Sequence, residues 1–269
     1  MILKRYLLLF LGMGLIASGC SKEPADEYAG REFIATPYAK VNSDQGESWI
    51  SFNSEESRTV FGRHSEGWTN HVLYETVLGE GGWEEAEAMS FSGTFNDRGA
   101  RFYPALDAML FTSDRPVSED DEAGDFNLWI AMHDGESWLD PEPLSALNSP
   151  SNDFHGSVAA DGTIYFASDR TGGRGKSDIY RAVLGRGGYS ISPVPGAVNT
   201  EYSESDVYID QNGLFMIFTR TDDPAGFGGD DLWISFSSDT GWSKAVNLGP
   251  EVNTAEYEYG ASIALDNLN

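Results

Sequence analysis

Residues 161–180 read DGTIYFASDRTGGRGKSDIY, and this stretch decides the fold. The Asp161-Gly162 pair favours a tight turn, and the partly alternating apolar run after it predicts a β-strand. A glycine-rich loop then leads into a second short strand that ends at Tyr180. Residues 206–233, DVYIDQNGLFMIFTRTDDPAGFGGDDLW, repeat this order with an Asn-Gly turn. The same small antiparallel unit is therefore predicted twice.

Three landmarks recur along the whole chain at one period. The first is a hydrophobic–aromatic pair, whose aromatic members are 55, 51 and 53 residues apart: Leu73-Tyr74, Leu128-Trp129, Ile179-Tyr180 and Leu232-Trp233. The second lies nine residues further on each time: Trp83, Trp138, Tyr189 and Trp242. The third is an asparagine near the end of each unit: Asn42, Asn96, Asn148, Asn199 and Asn253. Because three landmarks keep the same period, they indicate a structural repeat of about fifty residues.

The repeat predicts an all-β fold, a β-propeller. Each unit holds four short strands, and a small sheet with two apolar faces must stack against neighbouring sheets around an axis. We expect a propeller domain over residues 32–269, with blades that begin near residues 47, 101, 153 and 204. The repeat units span about 42–96, 97–148, 149–199 and 200–253, with a partial unit at 254–269.

The ends of this domain predict an incomplete fifth blade shared by the two termini. Residues 32–41 match the last strand of a unit, and residues 258–266 match the first strand. We expect these segments to lie side by side, beside four complete four-stranded blades. The second and third strands of the shared blade are missing from the sequence. This favours a truncated fragment over an open or imperfectly closed ring, because an open sheet edge promotes aggregation.

The repeats resemble the WD-like, TolB-type β-propeller repeat. The similarity is carried by residues 165–180, by residues 206–233 and by the linking segment 242–254, WSKAVNLGPEVNT. It covers residues 98–269 well and residues 40–97 weakly. The resemblance implies a propeller that serves as a binding scaffold or as an accessory to catalytic domains.

The first residues predict a lipoprotein signal peptide. Basic residues precede an apolar run that is shorter than the roughly 20 residues of a membrane-spanning helix. Small residues then lead directly into Cys20, which resembles the lipobox of bacterial lipoproteins. The resemblance implies a signal peptide over residues 1–19, a lipid anchor at Cys20 and a linker over residues 20–31; Ser21 implies sorting to the outer membrane. The alternative is ordinary cleavage that leaves a free thiol at Cys20.

Charge and cysteine content narrow the function further. The chain has a formal net charge of −26 and a single cysteine. So acidic a surface repels nucleic acid, which excludes a DNA or RNA partner. One cysteine cannot form an intramolecular disulfide. The charge itself suits a solubilising surface, or else the attraction of cations or basic partners.

One column of the repeat is acidic in four of five units, five residues after each landmark asparagine: Glu47, Arg101, Asp153, Glu204 and Glu258. We expect this column at the entry to each innermost strand, around one mouth of the central channel. One interpretation is a repeated hydrogen bond or ion pair to a neighbouring blade, for example to Arg115 or Arg170. The other is an acidic rim that binds a cation or a basic group. Arg101 departs from the column and is a candidate functional residue for that reason.

The candidate ligand-binding residues are those near this rim that occur in one blade only: Trp49, Arg101, Tyr103, His155, Asp206 and Tyr259. Aromatic rings with one arginine and one histidine suit a peptide or a sugar. The sequence contains no Gly-x-Ser-x-Gly nucleophile elbow and no closely spaced histidine pair typical of zinc sites. No catalytic residue, cofactor or metal is therefore predicted.

The predicted function is that of a non-enzymatic envelope lipoprotein, whose propeller binds a protein, peptide or glycan partner. The alternative is a carbohydrate-active or peptidase-associated enzyme that uses the propeller mouth. Two carboxyl groups about 5–10 Å apart that face a pocket would favour the enzyme. A rim without converging titratable groups would favour the binding protein.

Overall fold

The computed structural model describes residues 8–11, 33–36, 43, 45–65, 67–103, 105–118, 120 and 124–264. Within these ranges the backbone forms strands, turns and bends but no helix, so none of this part can cross a membrane as a long apolar helix. The first two strands are β1 (Leu8–Leu11) and β2 (Phe33–Thr36). Cys20 and the predicted linker over 20–31 lie outside the described residues.

The four repeat units fold into four antiparallel sheets, which are the blades of a β-propeller. Blade 1 contains β3 (Gly46–Phe52), β4 (Arg58–Ser65), β5 (Thr69–Gly79), β6 (Gly82–Trp83) and β7 (Glu87–Ala88). Blade 2 contains β8 (Arg98–Phe102), β9 (Ala108–Ser113), β10 (Asn127–Met132) and β11 (Glu142–Pro143). Blade 3 contains β12 (Asp153–Val158), β13 (Ile164–Ser168), β14 (Asp178–Gly185) and β15 (Gly188–Pro193). Blade 4 contains β16 (Ser203–Ile209), β17 (Phe215–Thr221), β18 (Asp230–Ser238), β19 (Gly241–Trp242) and β20 (Val246–Asn247).

The strands follow in chain order within each blade, as the sequence predicts. In blades 1 and 4 the fourth strand is split, and both pieces pair with the third strand. The predicted turn dipeptides join the first and second strands, because their glycines take up left-handed backbone angles, φ 84° at Gly162 and 68° at Gly213. The first strands β3, β8, β12 and β16 contact one another in turn and line the central channel.

The core lies between the blades. One buried cluster joins Leu73 of blade 1 to Phe111 and Trp129 of blade 2. The next two clusters join blade 2 to blade 3 and blade 3 to blade 4 in the same way, with Phe166 and Phe218 at their centres. Burial of such aromatic side chains contributes roughly 2–3 kcal/mol each. The blades are therefore held together by the landmark residues that define the repeat.

The terminal strands form a small fifth sheet. β21 (Ser262–Ala264) lies against β3, and the sheet order is β2–β1–β21. The predicted fifth blade, incomplete and shared by the two termini, is thus confirmed. The terminal segments are not direct neighbours, however. β1 comes from the predicted signal peptide and lies between them, antiparallel to β2 and parallel to β21.

Candidate functional site

A β-bulge interrupts the first strand of each blade and determines which residue points at the channel axis. The register shifts after Ser48, Arg98, Phe154 and Ser205. At the equivalent position of each bulge, and before β21, one residue has a left-handed φ between 50° and 64°: Trp49, Gly99, His155, Asp206 and Gly260. Residues other than glycine rarely adopt this backbone conformation, and those that do cluster at functional sites.

The three side chains of this layer meet across the channel, and we call them the channel plug: Trp49, His155 and Asp206. Trp49 Nε1 donates a short hydrogen bond to Asp206 Oδ1, and His155 Nδ1 lies 2.8 Å from the same oxygen. The Trp49 and His155 rings are 4.8 Å apart between centroids. Glycine occupies the other two positions because a Cβ there would lie 2.7 Å from the His155 ring or the Trp49 ring. The plug therefore separates the two ends of the channel.

The electrostatics of the plug favour an ionised carboxylate beside a neutral imidazole. Burial alone would raise the pKa of Asp206, but His155 beside it and hydrogen bonds from Trp49 and Ser205 lower that pKa to about 2. Burial lowers the pKa of His155, and the nearby arginine charges lower it further, against the opposing effect of Asp206. His155 Nε2 is buried and has no hydrogen-bond partner among the residues described.

Aromatic and histidine rings cover the plug at the end where the first strands begin, and we call them the mouth cluster: His64, Trp68, His71 and Tyr259. Trp68 stacks on His64 with centroids 4.5 Å apart and meets Tyr259 edge-on at 5.0 Å. Trp49 contacts Tyr259 at 5.6 Å and His71 at 5.9 Å. Trp68 is nevertheless 49 % exposed, so it forms the solvent-facing top of the cluster.

The hairpin that carries Trp68 holds it in this position. Gly67, Trp68 and Asn70 all have left-handed φ angles, and Ser65 Oγ donates to the Thr69 carbonyl oxygen at 2.8 Å. His71 Nε2 donates to the Trp68 carbonyl oxygen at 3.1 Å, which leaves Nδ1 as the unprotonated nitrogen. Burial, with the charge of Arg98 next, lowers the pKa of His71 to about 4. The imidazole of His71 is therefore neutral at neutral pH.

Two further exposed aromatics extend the mouth cluster towards blade 4. Tyr257 is 65 % exposed and Phe227 is 49 % exposed. A Cβ at Gly229 would lie 2.5 Å from the Tyr257 ring, so this ring packs directly on the loop that carries Phe227. The large exposed side chains on other faces, such as Leu184 and Val246, are aliphatic. Exposed aromatic surface is thus concentrated at this mouth in the part of the chain that the structure describes.

The acidic column is structural, and its register in blade 2 differs from the predicted one. Arg115 Nη2 binds Asp97 Oδ1 at 2.6 Å, so Asp97 occupies the place assigned to Arg101. The same pairing recurs in the other complete blades: Arg63 with Glu47, Arg170 with Asp153 and Arg220 with Glu204. Each arginine also lies over the landmark aromatic of its third strand: Tyr74, Trp129, Tyr180 or Trp233. A repeated ion pair therefore accounts for the column in the four complete blades, but each pair lies within one blade and does not reach a neighbouring blade as predicted.

The predicted register of the acidic column in blade 2 was wrong because Asn96 is not equivalent to the landmark asparagines of the later units. Asn148 accepts from the Leu128 backbone N–H at 2.9 Å and donates back to its carbonyl, and Asn199 and Asn253 do the same in later blades. In blade 1 the Oγ of Ser92 accepts the equivalent bond, from the Leu73 backbone N–H. Asn96 instead donates to Asp114 and matches Asn152, which donates to Asp169. The landmark asparagine of this unit therefore belongs to a second asparagine column.

Four of the six predicted ligand-binding residues come together at the mouth: Trp49, His155, Asp206 and Tyr259. Arg101 does not join them, because it lies on the far side of the plug. It donates from Nη1 to the Ile50 carbonyl at 2.8 Å and from Nη2 to the Ala261 carbonyl at 2.7 Å. Tyr103 follows the end of β8 and packs between blades 2 and 3, near Gly162.

His64, Trp68 and His71 were not predicted from the sequence as site residues, although the glycine before Trp68, Gly67, was a usable turn signal. These residues lie in the unit that matches the repeat least well. No group of three or more histidine, cysteine or acidic side chains is placed to hold a metal ion, as far as the described ranges extend.

Comparison with known proteins supports the fold. No family model matches the sequence, and no curated protein matches it. A thermostable family-43 glycoside hydrolase aligns with 80 % of this chain and 76 % of its own, at 11 % identity and a TM-score of 0.53. A puromycin-hydrolysing peptidase of Mycobacterium tuberculosis aligns with 84 % of this chain at 11 % identity and a TM-score of 0.48.

This chain covers only 32 % of that peptidase. The propeller domain of the Trilobed protease from Pyrococcus furiosus aligns with 82 % of this chain and 54 % of its own, at 11 % identity and a TM-score of 0.40. At such identities the likeness to the glycoside hydrolase establishes a shared β-propeller fold and nothing about activity. The TolB-type assignment stays a prediction.

Proposed function

We propose that this protein is a lipid-anchored envelope protein whose propeller binds a peptide segment of a protein partner at the mouth cluster, without turnover. The observation that carries the proposal is the position of Trp68, half exposed at the mouth and stacked on His64. Exposed tryptophan and tyrosine side chains on a rigid support dominate binding energy at protein interfaces.

The extent of the aromatic surface favours a peptide over a single sugar ring. Trp68 and Tyr259 meet over blade 1, and Tyr257 with the Phe227 loop continues the surface over blade 4. An extended chain advances about 3.3 Å per residue, so several side chains of a bound segment can each meet one aromatic ring. The formal charge of −26 further favours a segment that is neutral or basic.

The plug supports recognition rather than transport through the channel. Trp49, His155 and Asp206 are buried and in contact with one another, so they provide a rigid floor beneath the exposed rings. A preorganised floor reduces the entropy lost on binding.

The proposed anchor is lipidation of Cys20 at the outer membrane, and its support is the lipobox-like sequence that ends at this cysteine. Several acyl chains would be needed, because one chain alone binds a bilayer only marginally. Metabolic labelling with a fatty-acid probe should mark the wild type but not Cys20→Ala. Equal labelling of the variant would contradict the anchor.

The binding proposal is tested with an array of envelope-derived peptides and a parallel glycan array, probed with the purified protein. We expect peptide binding that weakens at least tenfold in Trp68→Ala, which corresponds to about 1.4 kcal/mol. The matched control is Leu184→Ala, which removes an apolar side chain that is even more exposed than Trp68 and lies far from the mouth. Glycan binding that depends on Trp68, or peptide binding that ignores it, would contradict the peptide assignment.

One observation favours an enzyme as the second candidate. Burial raises the pKa of Asp230, and the charge of Asp206 raises it further, whereas the pKa of Asp206 itself is lowered to about 2. Carboxyl pairs of this kind supply the acid and base in many hydrolases. Hydrolysis of a glycoside or peptide panel by the wild type, abolished by both Asp206→Asn and Asp230→Asn, would establish this function instead.

A further inference from the structure

A second cavity opens at the other end of the channel, where the first strands end. Its volume is about 260 Å³, slightly below the usual range for small-molecule sites, about 300–1,000 Å³. Phe52, Phe102, Ile209 and Phe215 form apolar walls. The plug lies between this cavity and the mouth cluster, so the two sites are independent.

Arg101 lies in the wall of this cavity and has an unusual environment for a buried cation. It is 5 % exposed and forms no ion pair with a carboxylate in the part of the chain described. It donates two hydrogen bonds, both to backbone carbonyl oxygens, those of Ile50 and Ala261. A guanidinium has five N–H donors in a planar fork, so Arg101 keeps donors for a further acceptor.

Burial lowers the pKa of Arg101 to about 10, while the charge of Asp206 opposes this lowering. The guanidinium therefore remains protonated at neutral pH. The guanidinium carbon lies 6.0 Å from the centroid of the Tyr208 ring, and no carboxylate of the described residues pairs with it directly. Burial of a charge in such surroundings is costly, and a bound anion would offset that cost.

Serine hydroxyls surround the arginine at the same level of the channel. Ser51 of β3, Ser157 of β12 and Ser262 of β21 occupy the position that Arg101 has in β8, and they line the same cavity, whereas Tyr208 takes this position in β16. Ser51 Oγ accepts from the Phe102 backbone N–H, and Ser157 Oγ accepts from the Ile209 backbone N–H. Each of these hydroxyl groups can still donate its proton to an oxygen in the cavity.

We propose that this cavity binds a small organic monocarboxylate, with its carboxylate on Arg101 and the serine hydroxyls. The planar fork of arginine matches the two oxygens of a carboxylate. The apolar walls suit a carbon skeleton rather than a bare inorganic anion. Asp210 and Glu56 also line the cavity, and their charges disfavour a ligand with a second negative group.

The probes are chosen to separate charge from shape. D-glucuronate and D-glucose have similar size and hydroxyl groups but differ in the carboxylate, whereas citrate carries additional charges. Binding to the detergent-solubilised protein is measured by saturation-transfer NMR at low salt. We expect glucuronate and acetate to bind at about millimolar affinity, citrate to bind more weakly and glucose not at all.

Substitutions at the exposed entrance of the cavity test the charge preference without removing the buried Arg101 side chain, whose loss would destabilise the fold. Ser54 and Gln211 line the cavity and are exposed. Ser54→Glu with Gln211→Glu should weaken glucuronate binding at least fivefold, and the corresponding lysine pair should strengthen it. Ser54→Gln is the control for size.

Trp68→Ala should leave glucuronate binding unchanged, so failure of this proposal is distinguishable from failure of the mouth site. The proposal is overturned if none of the three carboxylates binds, if glucose binds as well as glucuronate, or if the charge variants have no effect.

Discussion

Arg115 Nη2 donates to Asp97 Oδ1 across 2.6 Å, which is the pairing that Arg170 makes with Asp153 in the next blade. Asp97 and Asp153 are fully buried, so each arginine neutralises a carboxylate that water cannot reach. The repeat therefore contains one buried ion pair per complete blade.

Removal of one such arginine should destabilise the protein strongly. We expect Arg170→Met to lower the free energy of unfolding by about 3–5 kcal/mol, because Asp153 is left charged and buried. Urea denaturation measures the loss. Arg186→Met, an exposed arginine in the β14–β15 turn, is the control and should change stability by less than about 0.5 kcal/mol. A similar small effect for both variants would show that the pairs are dispensable.

The fold was predictable because its signals are local and repeated. The blades were expected to begin near residues 47, 101, 153 and 204, and the first strands begin at Gly46, Arg98, Asp153 and Ser203. Turn dipeptides and alternating apolar residues dictate these strands without reference to distant parts of the chain. The error in blade 2 arose because Ser92 replaces the landmark asparagine, while Asn96 lies four residues later.

The site was less predictable because it depends on contacts over long separations. Trp49 and Asp206 are 157 residues apart, and they meet only because a left-handed bulge turns both side chains inward. Gly99 and Gly260 at the same bulge position were the one sequence signal of this conformation. Nothing local marks Arg101 as a residue that reaches one carbonyl group in β3 and another just before β21.

The bulge glycines should be intolerant of a side chain. Gly99→Ala would place a Cβ 2.7 Å from the His155 ring, at φ +64°. Gly213→Ala is the matched control, because φ is +68° there but no atom lies within 4 Å. We expect the control to cost about 1 kcal/mol from backbone strain alone, and Gly99→Ala to cost about 1–3 kcal/mol more from crowding. Equal melting temperatures for the two variants would argue against a tightly packed plug.

Stability should fall as the pH falls below 6.5, because His71 is neutral in the folded protein. Its pKa is lowered from 6.5 to about 4, so the unfolded chain takes up a proton in this range before the folded one does. The shift corresponds to roughly 3 kcal/mol as an upper value, lost progressively between these two pH values. The lowered pKa of His155 acts in the same direction.

Replacement of His71 should therefore flatten the pH dependence. We expect the unfolding free energy of His71→Phe to change less than that of the wild type between pH 6.5 and 4, measured by urea denaturation at each pH. Arg186→Met, outside the mouth cluster, should follow the wild-type curve. Below this window Asp206 contributes separately, because its stabilisation is lost as the pH falls from 3.8 through about 2. Parallel curves for wild type and His71→Phe would rule out the buried imidazole as the cause.

The hydrogen bonds of Arg101 should help to hold blade 1, blade 2 and the terminal strand β21 together. Arg101→Met leaves the Ile50 and Ala261 carbonyl oxygens without their donor, which should cost about 2–5 kcal/mol. Hydrogen exchange should accelerate first at residues 261–264, because these amides belong to the smallest sheet. Arg186→Met should leave that exchange unchanged. Unaltered protection from hydrogen exchange at residues 261–264 would show that these hydrogen bonds do not stabilise the terminal strand.

Removal of the predicted signal peptide should bring the two terminal segments together. β1 pairs with Ala35 and with Ile263 through the same residue, Leu9, so the two flanking strands are two strand spacings apart, about 10 Å. A disulfide requires Cα atoms within about 7 Å. In a form that begins at Ser21, β2 can pair antiparallel with β21 in the vacated place.

We therefore expect Ala35→Cys with Ile263→Cys to form a disulfide in that form, and no disulfide in the full-length chain with Cys20→Ser. Cross-linking is read by mobility on a non-reducing gel. Equal cross-linking in both forms would mean that β1 does not separate the terminal strands, and absence from both would mean that the fifth blade stays open after cleavage.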